Sequence, residues 1–135
     1  MADNLTDIDK LITGFFDCFD NRISQIPDFE HFSGHFVKDS VIGKRTDADV
    51  ILWSLDEFWQ PRNEQLKGRR LKQFHEWETD AETSIFNGIA TRKCYYEKAG
   101  FLDGQPYAGM GTKCFQLALT PDGWRIIYLL WEDQE

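Results

Sequence analysis

Leu5, Ile8, Ile12, Phe15, Phe16, Phe19 and Ile23 recur at steps of three and four residues. That spacing predicts an amphipathic helix with an aromatic stripe, capped by Asn4 or Thr6. Pro27 then opens a short second helix, "PDFEHFSGHF", with Phe29, Phe32 and Phe36 on one side and Gly34 as its breaker. "SVIGK" reads as a short strand. Thr46 and Asp49 form a capping-box pattern for a third helix, whose buried stripe would be Ile51, Leu55, Phe58 and Trp59. Pro61 weakens its continuation.

From Leu71 the period changes from helical to alternating. "LKQFHEWET", "GIATRKCYYEK", "PYAGMGTKCFQLAL" and "WRIIYLLWE" predict four strands. Asn87-Gly88, Asp103-Gly104 and Pro121-Asp122-Gly123 supply the turns between them, so neighbours pair as an antiparallel meander. Helices first and a long curved sheet after make an α+β chain, read as a single domain over residues 1–135. In the last strand Trp124, Ile126, Tyr128 and Leu130 alternate with Ile127, Leu129 and Trp131, so both faces are apolar. The helices cover one face. The other, carrying Ile127, Leu129 and Trp131, is expected to pack on a second copy as a homodimer.

Aromatic residues make up 15% of the chain, with 11 Phe and 5 Trp, enough to line a large core, a pocket or an interface. The formal charge of −8 argues against a nucleic-acid partner. The clusters Lys67-Gly68-Arg69-Arg70 and Arg92-Lys93 read as solvated strand ends. No apolar run approaches membrane-spanning length, so no membrane partner is expected. Cys18, Cys94 and Cys114 form no Cys-x-x-Cys pair, and Met1 leads directly into polar residues. The expectation is a reduced, cytoplasmic protein.

Three helices, a short strand between the second and third, and a four-strand meander resemble the nuclear-transport-factor-like superfamily over roughly Leu5 to Glu132. Its most telling segment here is "LDGQPYAGMGTKCFQLALTPDGWRIIYLLWE". The resemblance implies a cone-shaped, cystatin-like α+β fold, shared by ketosteroid isomerase, limonene epoxide hydrolase and the SnoaL-like cyclases. It marks fold better than activity. Where the isomerases carry an oxyanion-binding tyrosine on the first helix, this chain has Phe15 and Phe16. Their basic aspartate falls at Val41-Ile42-Gly43-Lys44, and their protonated aspartate near Phe115. The hydrolases' Arg-x-Asp pattern meets Arg92-Lys93-Cys94. All these groups are missing, which leaves the SnoaL-like branch as the nearer likeness.

That likeness implies a pocket inside the cone for a small apolar or aromatic molecule. Phe16, Trp53, Trp77, Tyr96, Phe115, Tyr128 and Glu132 are its expected lining, and His75 and Arg92 its catalytic candidates. By family register Arg92, Cys94 and Tyr96 point inward together with Tyr128, Leu130 and Glu132. Arg92 needs an anionic partner there, whether an internal pair with Glu76 or Glu132 or an acidic ligand. In "QFHEWETD" His75 and Trp77 share one face, and Glu76, Glu78 and Phe74 the other. A one-residue slip exchanges the two; the expected pocket face is that of His75 and Trp77. His31 and His35 stand four apart as helical metal ligands do, but Gly34 between them and the lack of a third ligand make them surface residues. No metal and no cofactor are expected. An enzyme with His75 as base and Arg92 as anion stabiliser stands against a non-catalytic ligand-binding or dimeric association module.

Overall fold

The computed structural model describes residues 3–23 and 25–134. Helix α1 (Asn4–Asp17) is capped by Asp3, whose carboxylate accepts from the Leu5 amide, rather than by Asn4 or Thr6. It buries Ile8, Ile12, Phe15 and Phe16 and ends at Cys18, so the apolar stripe stops short and Ile23 stands exposed. Helix α2 is only Phe29–Ser33; Phe36 already opens strand β1 (Phe36–Arg45).

The region after β1 departs most from the sequence reading. Thr46 and Asp49 close a turn, through Thr46 N to Asp49 O at 2.8 Å, instead of starting a helix. Val50–Ser54 then forms β2 antiparallel to β1. The run Val-Ile-Leu-Trp suits an extended, pleated edge better than a helix turn. Helix α3 (Leu55–Lys67) begins one element later, with a capping box made by Ser54 and Glu57. Pro61 sits inside α3 without ending it, and Leu55, Phe58, Trp59 and Leu66 are buried.

Strands β3 (Leu71–Phe86), β4 (Ile89–Leu102), β5 (Gln105–Thr120) and β6 (Gly123–Gln134) form the expected antiparallel meander. β6 then pairs parallel with β1, which completes a six-stranded sheet ordered β2-β1-β6-β5-β4-β3. α1 and α3 lie against one face, and the core between them and the sheet is dominated by rings. Phe32 stacks on Trp59 at 4.5 Å, and Phe15 meets Phe115 edge-on at 5.5 Å.

Two of the sheet's register shifts matter most for which side chains face that core. In β3, Gln73 and Phe74 together oppose Gly100 of β4, with Gln73 at φ 49° and Gly100 at φ 156°. A Cβ on Gly100 would lie 2.8 Å from the Phe74 Cα, so the strands can approach only at a glycine here. Buried Asn21 fixes the distortion, its Oδ1 accepting from Phe74 N at 2.8 Å and its Nδ2 donating to Leu71 O at 2.7 Å. In β6, Ile127 is the extra residue between the pairs Gln116–Tyr128 and Leu117–Ile126.

The second bulge corrects the expected faces of the last strand. Trp124 and Ile126 point inward before it, and Leu129 and Trp131 point inward after it. Tyr128, Leu130 and Glu132 lie on the outward side. Leu129 is 0% and Trp131 6% exposed, so neither belongs to an outer apolar patch; that face carries Ile127 and Leu130 instead.

Candidate functional site

A cavity of about 270 Å³ opens between α3 and the inner faces of β3 to β6. Phe19, Phe58, Phe74, Tyr107 and Trp131 contribute its ring surface. Its polar groups are Lys44 from β1, Arg62 and Gln65 from α3, Glu76 from β3, Tyr96 and Lys98 from β4, Lys113 from β5 and Asp133 from β6. The β3 bulge turns Glu76 inward opposite Lys98, and the β6 bulge turns Asp133 inward.

Asp133 is the polar hub. Its Oδ1 accepts from the Tyr96 hydroxyl, and it lies 3.1 Å from Lys44 Nζ and 3.5 Å from Lys98 Nζ. Burial alone would raise its pKa, but the Tyr96 hydrogen bond and the two ammonium groups hold it below the usual carboxylate value. Burial, together with donation to Asp133, drives the Tyr96 phenol far above its ordinary range. Burial opposes the Lys98 ammonium, but Asp133, Tyr107 and Glu76 together hold its pKa above the ordinary value.

Lys113 has no such partner. Its nearest carboxylate is Glu76 at 3.8 Å, outside hydrogen-bond range, and both side chains are largely buried. Its Nζ sits 4.0 Å from the Tyr96 ring centroid and 5.0 Å from that of Trp131. Burial pushes the Lys113 ammonium down to about 8. Arg62 lies over Phe58 at 4.0 Å and near Trp131 at 5.5 Å, and burial lowers its pKa as well.

Of the residues expected to line the pocket or act in it, only Tyr96 lines this cavity. His75 and Trp77 stack on each other at 4.3 Å on the opposite face of β3, while Phe74 and Glu76 form the wall. The expected face is therefore reversed, because the bulge at Gln73 shifts the register that simple alternation assumes. Arg92 points inward but into a closed ion-pair network: it donates to Glu78 Oε2 at 3.0 Å and Thr83 Oγ1 at 3.1 Å, and also to Asp9. Its partner is Glu78, not Glu76 or Glu132. Phe16 and Phe115 are buried in the ring core. Trp53, on β2, stacks on Trp131 at 5.6 Å from outside the cavity. Tyr128 faces outward, and Glu132 pairs with Arg45 at 2.8 Å on the surface.

Sequence reasoning missed Lys44, Arg62, Lys98, Lys113 and Asp133, and weighed Glu76 only as a partner for Arg92. One signal was present: Lys113 shares its parity with Phe115 and Leu117, a charge within an otherwise apolar face. Among the described residues, no helix is long and apolar enough to cross a membrane.

No protein-family model matches the chain, and no curated protein matches it. Solved structures do. A protein from Kribbella flavida superposes with a TM-score of 0.79 at 15% identity, covering 98% of this chain and 91% of that one. A nuclear transport factor 2-like superfamily protein from Salmonella enterica gives 0.76 at 12% identity, covering 96% and 90%. A protein of the same likeness with a cystatin-like fold, from Novosphingobium aromaticivorans, gives 0.75 at 14%, covering 98% and 82%. At these identities the likeness establishes the fold: this chain has the cystatin-like, nuclear-transport-factor-like architecture.

Proposed function

We propose that this is a SnoaL-like small-molecule protein whose cavity takes an organic anion with a short aromatic or apolar body. The charge imbalance at the cavity carries the reading. Lys44, Arg62, Lys98 and Lys113 are faced only by Glu76 and Asp133, and four cations against two anions leave an excess of two positive charges. The chain as a whole carries −8, so the imbalance is local to the site. A buried excess cation is costly unless an anion completes it. A carboxylate on the ligand supplies that anion, and the Phe58, Tyr107 and Trp131 rings receive its body. The volume lies just below the roughly 300–1,000 Å³ usual for drug-sized ligands, which favours a small one.

Titration of aryl and alkyl carboxylates beside their neutral amides, followed by tryptophan fluorescence, tests the reading. Carboxylates are expected to bind and amides not, and affinity is expected to fall as pH rises through about 8, where Lys113 loses its charge. Equal binding of acid and amide would sink it.

A catalytic reading of the same cavity is favoured by one pairing: an amine poised at about 8 beside a phenol locked onto a carboxylate. Lys113 as base, with Arg62 and Lys98 as anion stabilisers, then takes the roles first assigned to His75 and Arg92. Turnover that survives Lys113→Met would refute this while leaving ligand binding intact. We also propose that the outward face joins two copies. Leu52, Tyr128 and Leu130 gather there around Gly43, whose added Cβ would meet all three within 3.3 Å. Light scattering should show a dimer that Leu130→Lys dissociates; a stable monomer of the unmutated chain would end that idea.

A further inference from the structure

The histidine pair that the sequence left without a third ligand acquires one in the fold. Cys18 follows the last residue of α1, His31 lies on α2, and His35 stands between α2 and β1. Each of the three has a donor atom within 4.8 Å of a donor atom on the other two, and Cys18 Sγ lies 4.0 Å from His35 Nδ1. None of them touches the cavity described above.

We propose that Cys18, His31 and His35 form a binding site for one borderline transition-metal ion of the zinc type, with a fourth position open to water. The donor set is the kind such ions select: one thiolate and two imidazoles. Typical metal–sulfur and metal–nitrogen lengths of about 2.3 and 2.0–2.1 Å place tetrahedral donors roughly 3.4–3.6 Å apart. The observed cluster is therefore open by up to about 1 Å, and by less between Cys18 and His35, a gap that a side-chain rotation can close. His31 supplies that freedom. It is exposed, and its ring makes no hydrogen bond among the described residues.

His35 is held in place for the role. Its Nδ1, the ring nitrogen 4.0 Å from Cys18 Sγ, also lies 3.0 Å from the Phe32 carbonyl, a contact that orients the ring and is exchanged for the metal on binding. Residue 14 is glycine, and an added Cβ would lie 2.9 Å from His35 Nε2, so the ring lies beside Cys18 only because α1 is bare at that position. Burial grades from Cys18 through half-buried His35 to exposed His31, so the site opens to solvent on the histidine side. Coordination replaces the thiol proton of Cys18, which leaves to solvent as the metal–sulfur bond forms, with no change of oxidation state.

The experiment uses the full chain carrying Cys114→Ser, which removes the exposed thiol. Cobalt(II) and zinc(II) are added separately after chelation and dialysis. The expected result is one cobalt per chain with a thiolate-to-cobalt charge-transfer band, displaced by zinc, together with release of a proton. Cys18→Ser should abolish the band, and His31→Ala should weaken binding at least about 10-fold. His31→Ala changes an exposed side chain, so it remains informative if loss of the buried Cys18 impairs folding. Gly14→Ala, whose Cβ would displace the His35 ring, should weaken binding likewise. Cobalt binding without the thiolate band, a band that survives Cys18→Ser, or unchanged affinity in His31→Ala would each overturn the proposal.

Discussion

Arg92 and Lys113 are both buried cations on the inner face of neighbouring strands, each 6% exposed, yet they sit in opposite electrostatic situations. Arg92 is enclosed by Glu78, Asp9 and Thr83, and its planar fork uses several donors at once. Although burial opposes it, those partners raise its pKa above the ordinary arginine value. Lys113 faces one carboxylate at 3.8 Å and rings on its other sides, and burial brings it down to about 8. A cation with every donor satisfied holds elements together. A cation left short of partners is available to a ligand. The difference separates the α1–β3–β4 junction, a structural joint, from the cavity, a candidate site.

The comparison breaks most visibly at the structural end. Glu78→Ala leaves the Arg92 charge buried with only Asp9, and should cost about 3–5 kcal/mol in urea denaturation. Anion affinity should be unchanged. A loss below about 1 kcal/mol would mean that Arg92 is not held as its geometry implies.

Lys113→Met sharpens the other end. The Lys113 pKa falls from 10.5 in the unfolded chain to about 8 in the fold, so between those values the unfolded state holds the extra proton. Stability of the parent should therefore rise, relative to the methionine variant, as pH climbs through that window. Integrated over the window the gain is about 3 kcal/mol. Parallel stability curves for the two proteins from pH 7 to 10.5 would contradict the depressed pKa.

Tyr96→Phe should cost about 1–3 kcal/mol, because Asp133 loses its hydroxyl partner. The Asp133 pKa is lowered from 3.8 by that bond, so the stability it confers is present above about that pH and lost on further acidification. The phenylalanine variant should lose less than the parent as pH falls below 4, measured by thermal unfolding across the acid range. The smallest effect belongs to His75→Ala. It removes one stacking partner of Trp77, worth about 0.5–1.5 kcal/mol, and should leave anion binding as it was. A tenfold loss of affinity would return His75 to the site.

The meander was legible because its signals are local. Asn87-Gly88 and Asp103-Gly104 specify tight turns wherever they occur, and alternation between them needs no distant partner. β2 was not legible as a strand, since Val50–Ser54 follows a plausible cap at Thr46 and becomes extended only by pairing with β1. The site failed for a different reason. Its charged groups come from six elements, β1, α3 and β3 to β6, and no spacing along the chain relates Lys44 to Asp133.

The sequence by itself determined the α+β order of elements, the ring-rich core and the turns of the sheet, because turn chemistry and apolar periodicity act over a few residues. Only the tertiary structure decided which face each strand turns inward. An extra residue at Ile127, and two residues opposite Gly100, shift a two-residue period by one and exchange its faces. That exchange put Glu76 and Asp133 into the cavity, and His75 and Glu132 out of it. Cys18 likewise meets His31 and His35 only after α1 and α2 have packed.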